Sequence, residues 1–384
     1  MKTSGNAWRV EIGDCRLKMQ EIEAESIDAV VVDPPYGISF MDKEFDKLGD
    51  PQQQQEFHRQ WAVEAFRVLK PGGHIICFAG ARTYHRVAAG IEDAGFVIRD
   101  QLLWLYGSGF PKSANPSRKI DEAAGATPKV IGIGKRSTSR GMQFEKGSGE
   151  WGHGFNEEYE ITEPVTEQAQ RFRGWGSNLK PAHEPMVLAR KPYKGALHEN
   201  MIEHGTGGLN VGACRVGDEV RTSKQIDGGN LWGRRGEKSV PHKHKADKDA
   251  TIGAEHVGRW PANVILSGDA PERLDAAATE PEPSRFFKQI EYDDPFIYTP
   301  KASRADRGKG NNHPTVKPQK LMTYLIELVA ERGATILDPF CGSGSTGVAA
   351  VRAGYRFIGI EKDEEYAEIA CRRIGAPMQA TILF

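Results

Sequence analysis

The chain has 384 residues, 39% of them hydrophobic, which is enough to bury a large core in one domain or two. Its formal net charge of −1 carries no global basic signal, so contact with nucleic acid must come from local patches. The 5 cysteines are odd in number, scattered and without a CxxC pair, which argues against a disulfide framework and a cysteine zinc site. No apolar leader follows Met1, and no run is apolar for long enough to span a membrane, so the expectation is a soluble, cytoplasmic protein.

The β-branched run at 26–33 ends in an acid and a double proline, the pattern of a buried parallel strand opening into a loop. Apolar spacing from Phe57 to Leu69 predicts an amphipathic helix over 54–69, stopped by Lys70-Pro71-Gly72-Gly73. A strand over 74–79, a helix over 83–95 and a strand over 96–105 follow. This alternation implies a parallel sheet covered on both faces. The pattern breaks at Gly107. Residues 107–183 are rich in Gly, Ser and charge and read as an insertion, after which 184–191 supplies one short apolar strand. Residues 192–311 form a second irregular block, with mixed charge near 221–256 that suits a mobile loop or a segment ordered by a partner. Order returns after Pro318, with helix 321–332, strand 335–338, helix 344–353, strand 356–361 and helix 364–374. The two ends of the chain read as halves of one α/β sheet, with no internal repeat.

The second half carries Asp338-Pro339-Phe340-Cys341-Gly342-Ser343-Gly344-Ser345-Thr346 between a strand and a helix, and Glu361 at the end of the next strand. Gly342 and Gly344 let the loop turn tightly and bring its backbone close to a ligand. Glu361 can accept hydrogen bonds from two ribose hydroxyls. The spacing is not GxGxxG, and no lysine follows as a phosphate-binding loop requires. These features suggest a nucleoside cofactor without a pyrophosphate, and S-adenosylmethionine fits best. The bland alternative is a glycine turn that only packs tightly.

The first half carries Asp33-Pro34-Pro35-Tyr36 at a strand end, where ligands meet open α/β sheets. Pro34 and Pro35 stiffen the loop, and their carbonyls can face a ligand as acceptors. Asp33 and the Pro34 carbonyl can then accept both protons of one exocyclic amine, while Tyr36 offers a ring for stacking. Aryl amines are poor nucleophiles because the lone pair is delocalised. Hydrogen bonds at both N–H groups localise it, and positioning and electrostatics do most of the rest. A rigid turn is the bland alternative here.

Together these segments resemble the amino-methyltransferases of DNA, which make N6-methyladenine or N4-methylcytosine. Asp33 to Tyr36 is similar to their catalytic tetrapeptide, and Phe340 to Gly344 to their Phe-x-Gly-x-Gly loop. Asn312-His313-Pro314-Thr315-Val316-Lys317-Pro318 is similar to the segment preceding that loop. Gly13-Asp14 resembles the pair whose acid approaches the cofactor adenine. The order of catalytic motif, excursion and cofactor motif is that of the β-type subgroup, and Trp104 to Ser113 and Gly258 to Val264 resemble phage-type modification methylases.

The resemblance implies a Rossmann-like, S-adenosylmethionine-dependent methyltransferase fold. Its mostly parallel sheet would have seven strands, one reversed, for which 184–190 is the candidate. It further implies a catalytic half over 1–106, a target-recognition region over 192–311 and a cofactor-binding half over 312–384. The expected catalytic residues are Asp33, Pro34, Pro35 and Tyr36. Those expected at the cofactor are Asp14, Asp338, Phe340, Cys341, Gly342, Ser343, Gly344, Thr346 and Glu361.

For the target base and its strand the candidates are Phe40, Lys317, Arg234 and Arg235, with a solvated loop as the alternative for the two arginines. No metal is expected, since His242 and His244 lack a Cys or acid at ligand spacing. Cys341 lacks the preceding proline of a cytosine-C5 nucleophile. The expected partner is double-stranded DNA, with the base flipped out. A homodimer and a cognate restriction enzyme are left open. Within the family it resembles, the Asp form of the tetrapeptide implies adenine-N6 over cytosine-N4. Methylation of an RNA amine or protein amide, a non-catalytic DNA module and a nicotinamide dehydrogenase rank lower.

Overall fold

The computed structural model describes residues 3–5, 7–38, 44–106, 113–135, 158–224, 252–278, 282–290, 310–313 and 315–376. The amino end supplies strands β1 (Thr3–Gly5), β2 (Trp8–Ile12), β3 (Ile27–Val32), β4 (Leu69–Phe78) and β5 (Val97–Tyr106). The middle supplies β6 (Lys129–Lys135), β7 (Glu158–Glu163), β8 (His183–Arg190), β9 (Val216–Lys224), β10 (Ile252–Arg259), β11 (Val264–Ser267) and β12 (Lys288–Ile290). The carboxyl end supplies β13 (Thr335–Asp338) and β14 (Arg356–Glu361). The helices are α1 (Cys15–Lys18), α2 (Pro51–Val68), α3 (Tyr84–Asp93), α4 (Pro116–Ala123), α5 (Glu167–Arg171), α6 (Leu197–His204), α7 (Ala270–Ala277), α8 (Gln319–Val329), α9 (Ser345–Arg352) and α10 (Glu364–Ile374).

The main sheet runs β1-β2-β14-β13-β3-β4-β8-β5-β11-β12. The two ends of the chain therefore interleave: β13 lies between β14 and β3 and is parallel to both. Strand β8 is antiparallel to β4 and β5, so 184–190 is the reversed strand that the resemblance implies. The sheet is wider than the expected seven strands. β1 adds a second reversed strand at one edge, and β11 and β12 add parallel strands at the other. Residues 192–311 are thus not wholly an irregular excursion. Val264–Ser267 pairs with Leu103–Tyr106, and buried Ile265 and Leu266 complete the core there. At 4 and 3 residues these strands are too short for periodicity to reveal them.

Strand β3 is buried at all six positions, as a central parallel strand covered on both faces must be. Val31 points into one apolar cluster with α8 residues such as Leu321 and Leu325, while Val30 and Val32 point into the other with Trp61 and Ala65 of α2. Helix α2 starts at a capping box in which the Asp50 side chain accepts from the Gln53 amide, with Pro51 in the first turn. It ends at Val68, and the Lys70-Pro71-Gly72-Gly73 stop is itself the start of β4. Gly72 has φ +79°, and the β3–β4 register shifts between Ile27 and Ala29, so the Pro-Gly-Gly segment is an irregularity within the strand.

The 107–183 insertion joins neighbouring strands β5 and β8. Its described part holds α4, the antiparallel β6–β7 hairpin and α5. The 192–311 block holds α6, the β9–β10 hairpin, β11, α7 and β12.

Candidate active site

Parallel strands present their carboxyl ends at one end of the sheet, where a crevice forms. The strand order sets out the acids along it: Asp14 beyond β2, Glu361 of β14, Asp338 of β13 and Asp33 just past β3. A single cleft of about 1660 Å³ is lined by Asp14, Asp33, Pro34, Pro35, Tyr36, Lys317, Asp338, Phe340, Cys341, Gly342, Ser343, Thr346 and Glu361. Residues from opposite ends of the chain therefore meet. Gly344 does not line the cleft but shapes its loop from behind. With φ +82° it is the N-cap of α9, and a Cβ there would stand 2.9 Å from the Cβ of Ala370. Phe40, Arg234 and Arg235 lie outside the described residues.

On the glycine-loop side, Glu361 fixes the turn. One carboxylate oxygen accepts from the Gly342 amide at 2.7 Å and the other from the Asp363 amide at 2.9 Å. Its carbonyl accepts from the Gly13 amide at 2.8 Å, tying β14 to the loop before α1. Burial raises the carboxyl pKa of Glu361. Asp338 is buried and accepts from the Thr346 hydroxyl at 2.6 Å and the Phe340 amide at 3.1 Å. Burial pushes its pKa up to about 7 against those two hydrogen bonds, and the charges of Asp33 and Glu361 push the same way. Asp14 caps α1 and pairs with the Arg16 guanidinium at 2.6 Å, whose hydrogen bond holds its pKa below the usual carboxylate range. The Phe340 ring packs against Phe57 and Trp61, with centroids 5.9 and 5.6 Å away.

On the tetrapeptide side, the Tyr36 hydroxyl donates to Asp33 Oδ1 at 2.7 Å. Burial, and then the Asp33 charge, raise its pKa well above the phenol range, so it remains a donor. Lys317 Nζ donates to Asp33 Oδ2 at 2.5 Å and lies 4.6 Å from the centroid of the Phe78 ring. Lys317, a sequence candidate for the target base and its strand, is a buried partner of Asp33 that also lines the cleft.

Two acids escape sequence reasoning. Glu184 is buried at the start of β8, and its Oε2 lies 3.4 Å from both Lys317 Nζ and the Tyr36 hydroxyl. Because β8 is reversed, its first residues reach the end of the sheet where the other strands finish. Asp46 is buried and accepts from the Gly37 and Ile38 amides at 2.8 and 3.0 Å, pinning the chain beyond the tetrapeptide. No sequence signal marks either one, since each acts through contacts made only in space.

The sequence pattern of a known family, described as DNA methylase, matches residues 27–372. The Type II methyltransferase M.HindIII of Haemophilus influenzae is 24% identical over 399 aligned positions, covering 94% of this chain and 93% of that protein. The Type II methyltransferase M2.DpnII of Streptococcus pneumoniae is 52% identical over a 64-residue stretch, covering 17% of this chain and 24% of that protein. Among solved structures, the PvuII DNA methyltransferase (cytosine-N4-specific) superposes with a TM-score of 0.48 at 15% identity, covering 99% of this chain and 89% of that one. With the family pattern running from the start of β3 into α10, the chain belongs to the DNA methylase family.

Proposed function

We propose that the protein is a site-specific DNA methyltransferase of the restriction-modification type that methylates the N6 amine of a flipped adenine, with S-adenosylmethionine as donor. The observation that carries this reading is that Asp33 and the acid-bearing glycine loop open on one cleft. The donor set fits that cofactor. Asp14 and Glu361 would hold its amine and hydroxyl groups, Phe340 and Pro339 offer apolar surface, and the loop lacks the lysine that a pyrophosphate requires. The acids also suit a cationic sulfonium. When bound, S-adenosylmethionine supplies a methyl carbon whose bond to sulfur breaks, with the electron pair leaving on a neutral thioether.

The rest of the chemistry falls to the chain. Asp33 and the Pro34 carbonyl accept the two amine protons and so localise the nitrogen lone pair. Tyr36 and Lys317 hold the Asp33 carboxylate in orientation. As nitrogen gains the methyl group it becomes cationic, and Asp33 is the anion facing it and the acceptor for its proton. The base reaches Asp33 only out of the duplex. The aspartate opening the tetrapeptide supports adenine over cytosine. A relative named as a Type II methyltransferase across nearly the whole chain supports a role beside a restriction enzyme.

The test is to incubate unmodified DNA with protein and S-adenosylmethionine and identify the nucleosides by mass. N6-methyladenine is expected. N4-methylcytosine would keep the chemistry but overturn the base, and no methylated base on diverse DNA would sink the proposal. Asp33→Ala is expected to abolish transfer and keep cofactor binding. Turnover by that variant would move the amine site elsewhere.

A further inference from the structure

A buried cluster beside Asp33 holds two carboxylates and one ammonium. Lys317 Nζ sits 2.5 Å from Asp33 Oδ2 and 3.4 Å from Glu184 Oε2. Lys317 and Glu184 are only 5% and 4% exposed, so water screens their charges poorly. The Tyr36 hydroxyl completes the cluster, 2.7 Å from Asp33 and 3.4 Å from Glu184.

The reaction places a new positive charge on the substrate nitrogen while Asp33 faces it. Lys317 works against this, because its ammonium neutralises the same carboxylate and repels a nascent cation. Asp33 and Lys317 alone sum to zero. Among the described residues, Asp33, Lys317 and Glu184 together carry one net negative charge. Only the reversal of β8 brings Glu184 there, since a parallel strand would place its start at the far end of the sheet.

We infer that Glu184 is a positioning residue that offsets the Lys317 charge and shares its ammonium, leaving the Asp33 carboxylate to stabilise the nitrogen as it becomes cationic. This rests on the proposed amine methylation at Asp33. Lys317 then orients Asp33, Glu184 balances Lys317, and neither needs to touch the base. Fixed buried charges act most strongly on a charge that develops in the transition state where reorganisation is small, as beside this cluster.

The experiment is single-turnover transfer of labelled methyl to DNA, with S-adenosylmethionine affinity measured by calorimetry for each variant. Glu184→Gln keeps the shape and removes the charge. It is expected to slow the transfer step by roughly 10- to 100-fold while cofactor affinity stays within a factor of about two. Glu184→Asp is expected to recover part of that rate. The decisive comparison is Glu184→Gln combined with Lys317→Met, which restores one net negative charge. This pair is expected to transfer faster than Glu184→Gln alone.

A pair that is slower than Glu184→Gln, or a Glu184→Gln rate equal to wild type, would overturn the inference while leaving the methyltransferase reading intact. Loss of cofactor affinity in both Glu184→Gln and Glu184→Asp would also overturn it, by making Glu184 a structural residue. No transfer by the wild-type protein would overturn the reading and the inference together.

Discussion

At Glu361 one carboxylate both fixes the glycine turn and lines the cleft. It accepts the Gly342 and Asp363 amides. A carboxylate has about four lone-pair positions, so two remain for hydroxyls of a ligand. Glu361→Ala is expected to weaken S-adenosylmethionine binding by about 1–3 kcal/mol, the cost of leaving buried polar groups unpaired. Titration calorimetry checks this, and unchanged affinity would remove Glu361 from the cofactor role. Asp33, Asp338 and Glu361 are legible in sequence because each closes an apolar run, at the strand ends where open α/β sheets meet their ligands. Glu184 opens its strand instead, and Asp46 stands in a short polar stretch, so neither differs in sequence from a solvated acid.

The elements next to the site are legible to within a few residues because their signals are local. Helix α2 begins at a capping box and helix α10 at Asp363, whose side chain accepts from the Tyr366 amide. The strand start at Leu69 is not legible, since Pro71, Gly72 and Gly73 normally terminate pairing and here accommodate a register shift. The glycine loop gives the sharpest element-scale expectation. Gly344 combines φ +82° with no room for a Cβ. Gly344→Ala should cost about 1–3 kcal/mol through backbone strain and displacement of α10, read as a lower Tm. Cofactor affinity should fall with it, because the Gly342 amide is held by the same turn. An unchanged Tm would mean that the loop relaxes freely.

For the whole molecule, the place of the middle region decides what can be exchanged. Val216 and Arg259 are paired across the base of the β9–β10 hairpin, whereas Val264–Ser267 belongs to the main sheet. Replacing residues 217–258 by a short turn should leave a folded protein that still binds S-adenosylmethionine but loses site-specific methylation. Extending the cut through Ser267 should abolish folding, because it removes Ile265 from the core and the Ser267 hydroxyl from the Trp104 indole, 2.7 Å apart. Thermal melts and calorimetry on both deletions check this. Equal stability of the two would show that β11 is dispensable.

By itself the amino-acid sequence determined the α/β class, the two halves of the sheet and the acids that close the parallel strands, while the reversed strand was implied only by the family resemblance. The class, the halves and the acids follow from hydrophobic runs, turn residues and caps that act within a few residues. Tertiary structure alone decided the width of the sheet, the joining of Asp33 to the glycine loop, and the meeting of Lys317 and Glu184 around one carboxylate. These depend on which strand lies beside which and in what direction it runs, and such pairings join residues far apart in the chain without leaving a local pattern.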